Sequence, residues 1–591
     1  MSQDSRATVA GAQDIEARLD DVMGRLSLAE KVGLMFHTVI EMGPDGALLD
    51  GPGAISKSAT RHVVVDKCMS HFNIHQIPDA RSGARWYNAL QRMARESHGI
   101  PVTISTDPRH AHVQNAGTSW SAGFLSVWPE PLGLAALRDA DLVRRFADVV
   151  RREYRALGIT MALHPTADLA TEPRWGRQRE TFGQDAELVA DMVVAYLEGL
   201  AGPDGFGPGS VAAVTKHFPG AGPQRDGEDA HFPYGKDQVY PGGRFEEHLA
   251  PFRRAVAAGT SAIMPYYGRP LGLVLDGQEV EAVGFGYNKQ VLTRLLREEL
   301  GFDGVILSDW ELVNDNHVGD QVLPARAWGV EHLDPRERML KILDAGADQF
   351  GGEECTDLLL DLVREGKVTE QRIDESARRL LRVKLELGLF DDPFVDEDAA
   401  EEQTGRAEDV ALGLETQSRS VVLLRDELGL PLAGQRVYAE GVSPDALRAA
   451  GFQPVEAPEQ ADLALVRIDA PFDPRDDLFL ERWFRQGALD FQPGLAIRLA
   501  RLAEHCPLVL DVSLDRPAIL TPLVETTSAL TVSFGVSDTA WLDAVTGRVP
   551  ACGRLPFQLP RSMEAVRASR EDVPGDTADP LFEYGFGLQQ S

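Results

Sequence analysis

The 591-residue sequence has little that would serve a membrane, a metal scaffold or a nucleic acid. No run of about 18 apolar residues occurs, so no segment reads as a membrane span. Cysteine is scarce. Cys68, Cys355, Cys506 and Cys552 are scattered without a C-x-x-C pair, which argues against a zinc ribbon or a disulfide scaffold and fits a reducing cytoplasm. The opening "MSQDSRATVAGAQDIEARLDDVMGRL" has no apolar core of signal-peptide length, in keeping with a cytoplasmic location. Positive charge is the minority: 59 Lys and Arg against 91 Asp and Glu give a formal net charge of −32. Such a surface repels nucleic acid and anionic lipid and is compatible with a neutral substrate, although solubility alone accounts for it. A Walker loop is missing throughout, so nucleotide binding has no support.

What is present is a long alternation. The length exceeds what one core usually fills and predicts at least two domains. Up to about residue 395, short apolar runs ("IPVTIST", "ITMALHP", "VAAVTKHF", "SAIMPYY", "GVILSDW", "AGADQFGG") alternate with helix-periodic segments such as "DADLVRRFADVVRREYRALG". Strands alternating with helices predict parallel βα units, and this many predict a (β/α)8 TIM-type barrel over 1–395. The acidic stretch "DDPFVDEDAAEEQTG" reads as a connection, with the linker at 396–408. Strand candidates "SVVLLRD", "QRVYAEG", "DLALVRID", "PLVLDVSL" and "ALTVSFG" follow, predicting a smaller three-layer α/β sandwich domain over 409–591. That domain has no G-x-G-x-x-G after its first strand.

In a barrel the functional residues sit where strands end. Residues 215–235, "TKHFPGAGPQRDGEDAHFPYG", put Lys216, His217, Asp229 and His231 in a Gly/Pro-rich loop behind an apolar run. Asp309 closes "GVILSD", where it is either a carboxylate facing the barrel mouth or a helix N-cap. Asp107 in "ISTDPRH" is either a site residue or the start of an Asp-Pro turn.

Several strings, in chain order, resemble glycoside hydrolase family 3, the exo-acting β-glucosidase and β-N-acetylglucosaminidase family. They are "LSLAEKVGLM" (26–35), "EPRWGRQRETFGQD" (172–185), "KHFPG" (216–220), "GFDGVILSDW" (301–310), "RIDESARRLLRVKLELGLF" (372–390), and "GRLPFQLPRS" (553–562) with "YGFGL" (584–588). The match runs almost end to end. The fibronectin-like third domain of some members has no counterpart.

The resemblance implies a retaining exo-β-glycosidase that hydrolyses terminal β-D-glucosyl residues of a small neutral saccharide or β-glucoside, with no cofactor and no metal. It implies Asp309 as the nucleophile that forms a covalent glycosyl-enzyme. Asp107, Arg174, Lys216 and His217 are implied to bind sugar hydroxyls. Arg177 is open to a structural pairing with Glu180 or Asp185. Tyr267 is implied to donate to the nucleophile, with Tyr266 able to exchange roles. Met264 and Trp310 are subsite walls or core.

The acid/base is implied to come from the second domain, in a Gly-Glu-x-Pro-Tyr-like string after a strand. The comparable place here reads "IDAPF", so the expected acid/base is Asp469, with Asp473 and Glu481 just downstream. The within-barrel alternative is Asp229 with His231. This pair imitates the Asp-x-His dyad of the family's N-acetylglucosaminidases and related phosphorylase, although it lies further from "KHFPG" and Ala221 stands where that branch usually has His. Two readings from other classes remain: a metalloenzyme on His217, His231 and Asp309, and a catalytically impaired sugar-binding protein. The sequence leaves monomer and homodimer open.

Overall fold

The computed structural model describes residues 3–112, 115, 117–120, 123–318 and 321–590. Eight parallel strands close into a barrel in chain order: β1 (Phe36–Ile40), β2 (His71–Ile74), β3 (Thr103–Thr106), β4 (Ile159–Ala162), β5 (Ala212–Phe218), β6 (Ala262–Pro265), β7 (Val305–Trp310) and β8 (Gln349–Gly351), with β8 pairing back onto β1. The six runs read as barrel strands are β3 to β8; β1 and β2 fall outside them.

Aspartates begin several of the intervening helices. Asp79, Asp139 and Asp185 each accept the backbone N–H three residues on, at 2.8–3.0 Å, where a helix leaves its first donors unpaired. This is the role of Asp185 in the "FGQD" string: it starts the helix Ala186–Ala201. Within the final barrel helix, Glu370–Glu386, the buried Lys384 donates to the carbonyls of Ser70 and Pro101 and to Thr103 Oγ1 at 2.8–3.0 Å, fixing that helix beneath β3. The stretch read as linker contains one helical turn, Ala400–Gln403. It is tied to the barrel by Asn88, which bonds Val395 and Glu397.

The second region is a six-stranded sheet of β9 (Val422–Asp426), β10 (Arg436–Glu440), β11 (Gln453–Pro454), β12 (Leu463–Asp469), β13 (Leu508–Ser513) and β14 (Ala529–Ser533), in spatial order 9-14-13-12-10-11. Only the β9–β14 pair is antiparallel. Because strand side chains alternate, β12 feeds two cores: Ala464 and Val466 on one face, Leu463 and Leu465 on the other. The first of these cores also takes Leu132, Ala136 and Ala170 from the barrel side, so the two units share apolar packing. Backbones approach closely along that seam. A Cβ on Gly176 would stand 2.6 Å from the Arg485 carbonyl oxygen, and Gly183, at φ +97°, has no room beside the Pro556 carbonyl.

Candidate active site

The C-terminal ends of the strands surround a cavity of about 310 Å³. The end of β7 supplies Asp309, 7% exposed. Its Oδ1 accepts the Trp310 N–H at 2.7 Å, while the buried Oδ2 has no hydrogen-bond donor among the described residues. A buried carboxylate oxygen is costly to leave bare unless something else comes to meet it.

On β5, Lys216 Nζ lies 3.3 Å from Asp107 Oδ1, and Asn73 from the end of β2 donates to Asp107 Oδ2 at 3.3 Å. These contacts are long and leave the carboxylate and ammonium able to take further partners. His217 Nδ1 donates to Asp168 Oδ2 at 2.8 Å. Asp168 Oδ1 also accepts the backbone N–H groups of His217 and Ala221. Burial, with the charges of Arg177 and Lys216, holds the His217 ring well below its usual pKa and therefore neutral. An ionised Asp168 holds the ring proton on Nδ1 and leaves Nε2 as an acceptor for a hydroxyl, while burial raises that carboxyl to about 7.

On the β6 side, Met264 and Tyr267 line the cavity. The Tyr267 hydroxyl donates to the Trp310 carbonyl at 3.0 Å, one peptide from Asp309. Burial and then the Asp309 charge push this phenol well above its usual pKa. Tyr266 does not exchange with it, because its hydroxyl turns to Asp229 Oδ2 at 3.3 Å. Trp310 lines the cavity with its ring against His37, centroids 5.4 Å apart.

Four expected residues are elsewhere. Arg174 is bound twice through its side chain to Glu172 and once to Asp226, at 2.8–3.3 Å, and is not among the cavity-lining residues. The turn that follows it brings Arg177 inward instead, buried and paired to Glu180 at 2.7 Å. Asp469 does close β12, but its side chain is 73% exposed, 3.9 Å from the Arg485 guanidinium and outside the cavity. Asp473 is spent on its own loop, accepting the Ala488 N–H at 2.9 Å. Glu481 is buried but committed, accepting the Tyr234 hydroxyl at 2.6 Å and two backbone N–H groups. What the second domain places in the cavity is Phe479, Leu480, Arg482 and Trp483.

The barrel pair is in place. His231 lines the cavity, with Nδ1 2.7 Å from Asp229 Oδ1. Asp229 is fully buried and also accepts the His231 N–H and Trp175 Nε1, both at 2.9 Å. Burial would raise this carboxyl, but the His231 ring, the Arg177 charge and the His231 N–H outweigh it and lower it to about 2. For His231, burial lowers the pKa, and Arg177 and Arg326 add to that against the pull of Asp229.

The sequence reading missed Glu311, two residues beyond Asp309. It lines the cavity in a left-handed backbone conformation, φ +61°, held by Lys57 at 3.1 Å and Arg326 at 2.9 Å. Arg326 lies over the Tyr267 ring at 5.4 Å. The one available signal was an acid immediately after "SDW". Among the described residues no group of three or more His, Cys, Asp or Glu side chains is arranged to hold a metal ion, so His217, His231 and Asp309 are not a ligand set.

Known proteins agree with this fold. The chain is 47% identical over 582 residues to beta-glucosidase C of Emericella nidulans, covering 97% of this chain and 92% of that one. It is 41% identical over 589 residues to the periplasmic beta-glucosidase/beta-xylosidase of Dickeya chrysanthemi, covering 97% and 89%. Crystal structures of a Listeria innocua beta-glucosidase bound to isofagomine (TM-score 0.74, 20% identity, 97% of this chain and 83% of that one) and of an exo-1,3/1,4-beta-glucanase from a Pseudoalteromonas species (0.78, 20%, 98% and 74%) share the fold. The sequence model of the glycosyl hydrolase family 3 N-terminal domain matches residues 64–383. With barrel, sheet domain and relatives in agreement, the chain belongs to glycosyl hydrolase family 3 and is a glycoside hydrolase.

Proposed function

We propose that this chain is a retaining exo-β-glycosidase that removes terminal β-D-glucosyl residues from neutral glucosides. The observation that carries this reading is the partnerless Asp309 Oδ2, buried among the described residues in a cavity that also presents the Asp107–Lys216 pair, His217 and His231. Asp309 Oδ2 attacks the anomeric carbon as the glycosidic C–O bond breaks, leaving a covalent glycosyl ester. The His231 imidazolium gives its Nε2 proton to the departing oxygen, and Asp229 keeps the ring oriented and stabilises its charged form. The neutral ring then takes a proton from water, which attacks the ester and frees Asp309. Two inversions give net retention.

Asp107, bracketed by Lys216 and Asn73, suits adjacent sugar hydroxyls that both donate to one carboxylate, a contact that selects their configuration. The wall of Phe479, Leu480 and Trp483 closes the cavity from the second domain and supports exo action on a chain end. The name of the Dickeya relative supports β-xylosides as further substrates.

The test is a panel of nitrophenyl β-glycosides of glucose, xylose, N-acetylglucosamine and galactose, each with and without phosphate. Glucoside hydrolysis independent of phosphate is expected. Turnover of none of them, or turnover that requires phosphate, overturns the reading.

A further inference from the structure

From the contacts of residues 470–490 we infer that this second-domain loop supplies a positioning device for the His231–Asp229 pair, with Phe484 and Gln486 as its working residues. The inference rests on His231 acting as the acid/base. It accounts for a loop that approaches the active site closely yet brings no carboxylate into it.

The His231 ring is held on two sides by aromatic rings. Tyr267 of the barrel stands edge-on to it at 4.8 Å between centroids, and Phe484 of the loop lies at 4.7 Å and 46°. Phe484 is 3% exposed and also meets Phe232 edge-on at 5.2 Å. Asp229, the partner that orients His231, has its own backbone fixed from the same loop: its N–H donates to Gln486 Oε1 at 3.1 Å. The Gln486 amide cannot turn away, because its Nε2 donates to the Tyr234 hydroxyl at 2.8 Å and its side chain is fully buried. Tyr234 in turn donates to Glu481, whose other oxygen takes two backbone N–H groups of the loop.

The loop is anchored on both flanks. The buried Arg516 guanidinium donates to the Arg174 carbonyl of the barrel at 2.7 Å and to the Pro471 carbonyl of the loop at 2.9 Å. Arg475 pairs with Glu228 beside the dyad. The segment that carries the dyad, 228–234, is thus fastened to the second domain at Glu228, Asp229, His231 and Tyr234. A proton donor works only when its lone N–H is held on the line to the departing oxygen, and small misplacement is expensive. Phe484 and Gln486 restrict that ring and its orienting carboxylate without touching the sugar.

The experiment uses the full chain and a series of aryl β-glucosides from dinitrophenyl to unsubstituted phenyl, plus methyl β-glucoside. Phe484→Ala and Gln486→Leu are compared with His231→Ala. The readout is the ratio of kcat/KM between good and poor leaving groups. That ratio is internal to each preparation and does not depend on the fraction folded. His231→Ala is expected to steepen the dependence on leaving-group basicity most. Phe484→Ala and Gln486→Leu are expected to lose roughly tenfold or more on the poor leaving groups while staying within about threefold of the parent on dinitrophenyl glucoside. Neither loop change should add to the effect in the His231→Ala background. If His231→Ala shows the parent's dependence, the acid/base reading has failed. If His231→Ala steepens it while both loop variants lose equally on every leaving group, His231 stands and the positioning role is overturned.

Discussion

Arg174 and Arg177 lie one turn apart in "EPRWGRQRE" and end in opposite settings. Arg174 is closed into a Glu172 fork facing the loop at Asp226, whereas Arg177 is buried at the cavity beside Glu180, with Asp229 and His217 feeling its charge. Arg177→Met leaves Glu180 without its cation in a dry site, so its kcat/KM on aryl glucosides should fall at least about tenfold further than that of Arg174→Met. Equal losses measured side by side would return Arg174 to the site.

A second expectation concerns pH. The His231 ring faces Asp229 on its own loop, Arg177 and Arg326 from neighbouring loops, and the Tyr267 phenol. Burial and the two arginines outweigh Asp229 and lower its pKa from 6.5. A general acid acts when protonated, so kcat/KM on methyl or phenyl glucosides should fall as pH rises through a value below 6.5. The limb should vanish in His231→Ala. An alkaline limb above neutrality in the parent would assign the proton to another group.

Lys216, His217, Asp107 and Asp309 line the cavity, where the family strings implied them; the strand-end pattern alone left Asp309 open to a helix N-cap and Asp107 to a turn. The Glu311 network was not legible, since its partners Lys57 and Arg326 lie far apart in the chain and nothing local marks them as meeting there.

At the scale of elements, β1 and β2 escaped the reading for physical reasons. β1, "FHTVI", continues without a break from the helix Leu28–Leu34, and β2, "HFNI", is four residues with His and Asn among them. Both carry polar side chains because they face the barrel interior, where His37 bonds Ser105 at 2.7 Å; an apolar-run criterion passes over them. The second-domain strands were all read except the two-residue β11, because β9, β12, β13 and β14 are largely buried apolar runs and the half-exposed β10 still centres on Val437, Tyr438 and Ala439.

Asp469 was expected from its place in a string resembling the family's Gly-Glu-x-Pro-Tyr, but β12 ends short of the cavity, and the chain reaches it only at Phe479. The element that matters there is the loop's aromatic wall. Trp483→Ala should weaken phenyl glucosides by about 1 kcal/mol, roughly fivefold in KM, and leave methyl β-glucoside nearly unchanged. Equal loss on both would mean that Trp483 does not face the leaving group.

At the scale of the molecule, the active site is a product of the seam between the two units. The barrel brings Asp309, the Asp107–Lys216 pair and His217 to the cavity, and the sheet domain brings the Phe479–Trp483 wall and the packing behind His231. The seam depends on backbone contact at Gly176, where one added methyl would meet the Arg485 carbonyl. Gly176→Ala should cost about 1–3 kcal/mol in thermal or denaturant unfolding. An unchanged unfolding midpoint would show that the units adjust freely.

The claim on which everything else depends is that Asp309 becomes covalently glycosylated. Incubation with a 2-deoxy-2-fluoro β-glucoside bearing a dinitrophenyl leaving group, followed by peptide mass spectrometry, tests it most directly. The expected result is one fluoroglucosyl unit per chain, carried by Asp309 on the peptide containing "GVILSDW". A label on any other carboxylate, or turnover with no trapped adduct and with an inverted anomeric product, contradicts it.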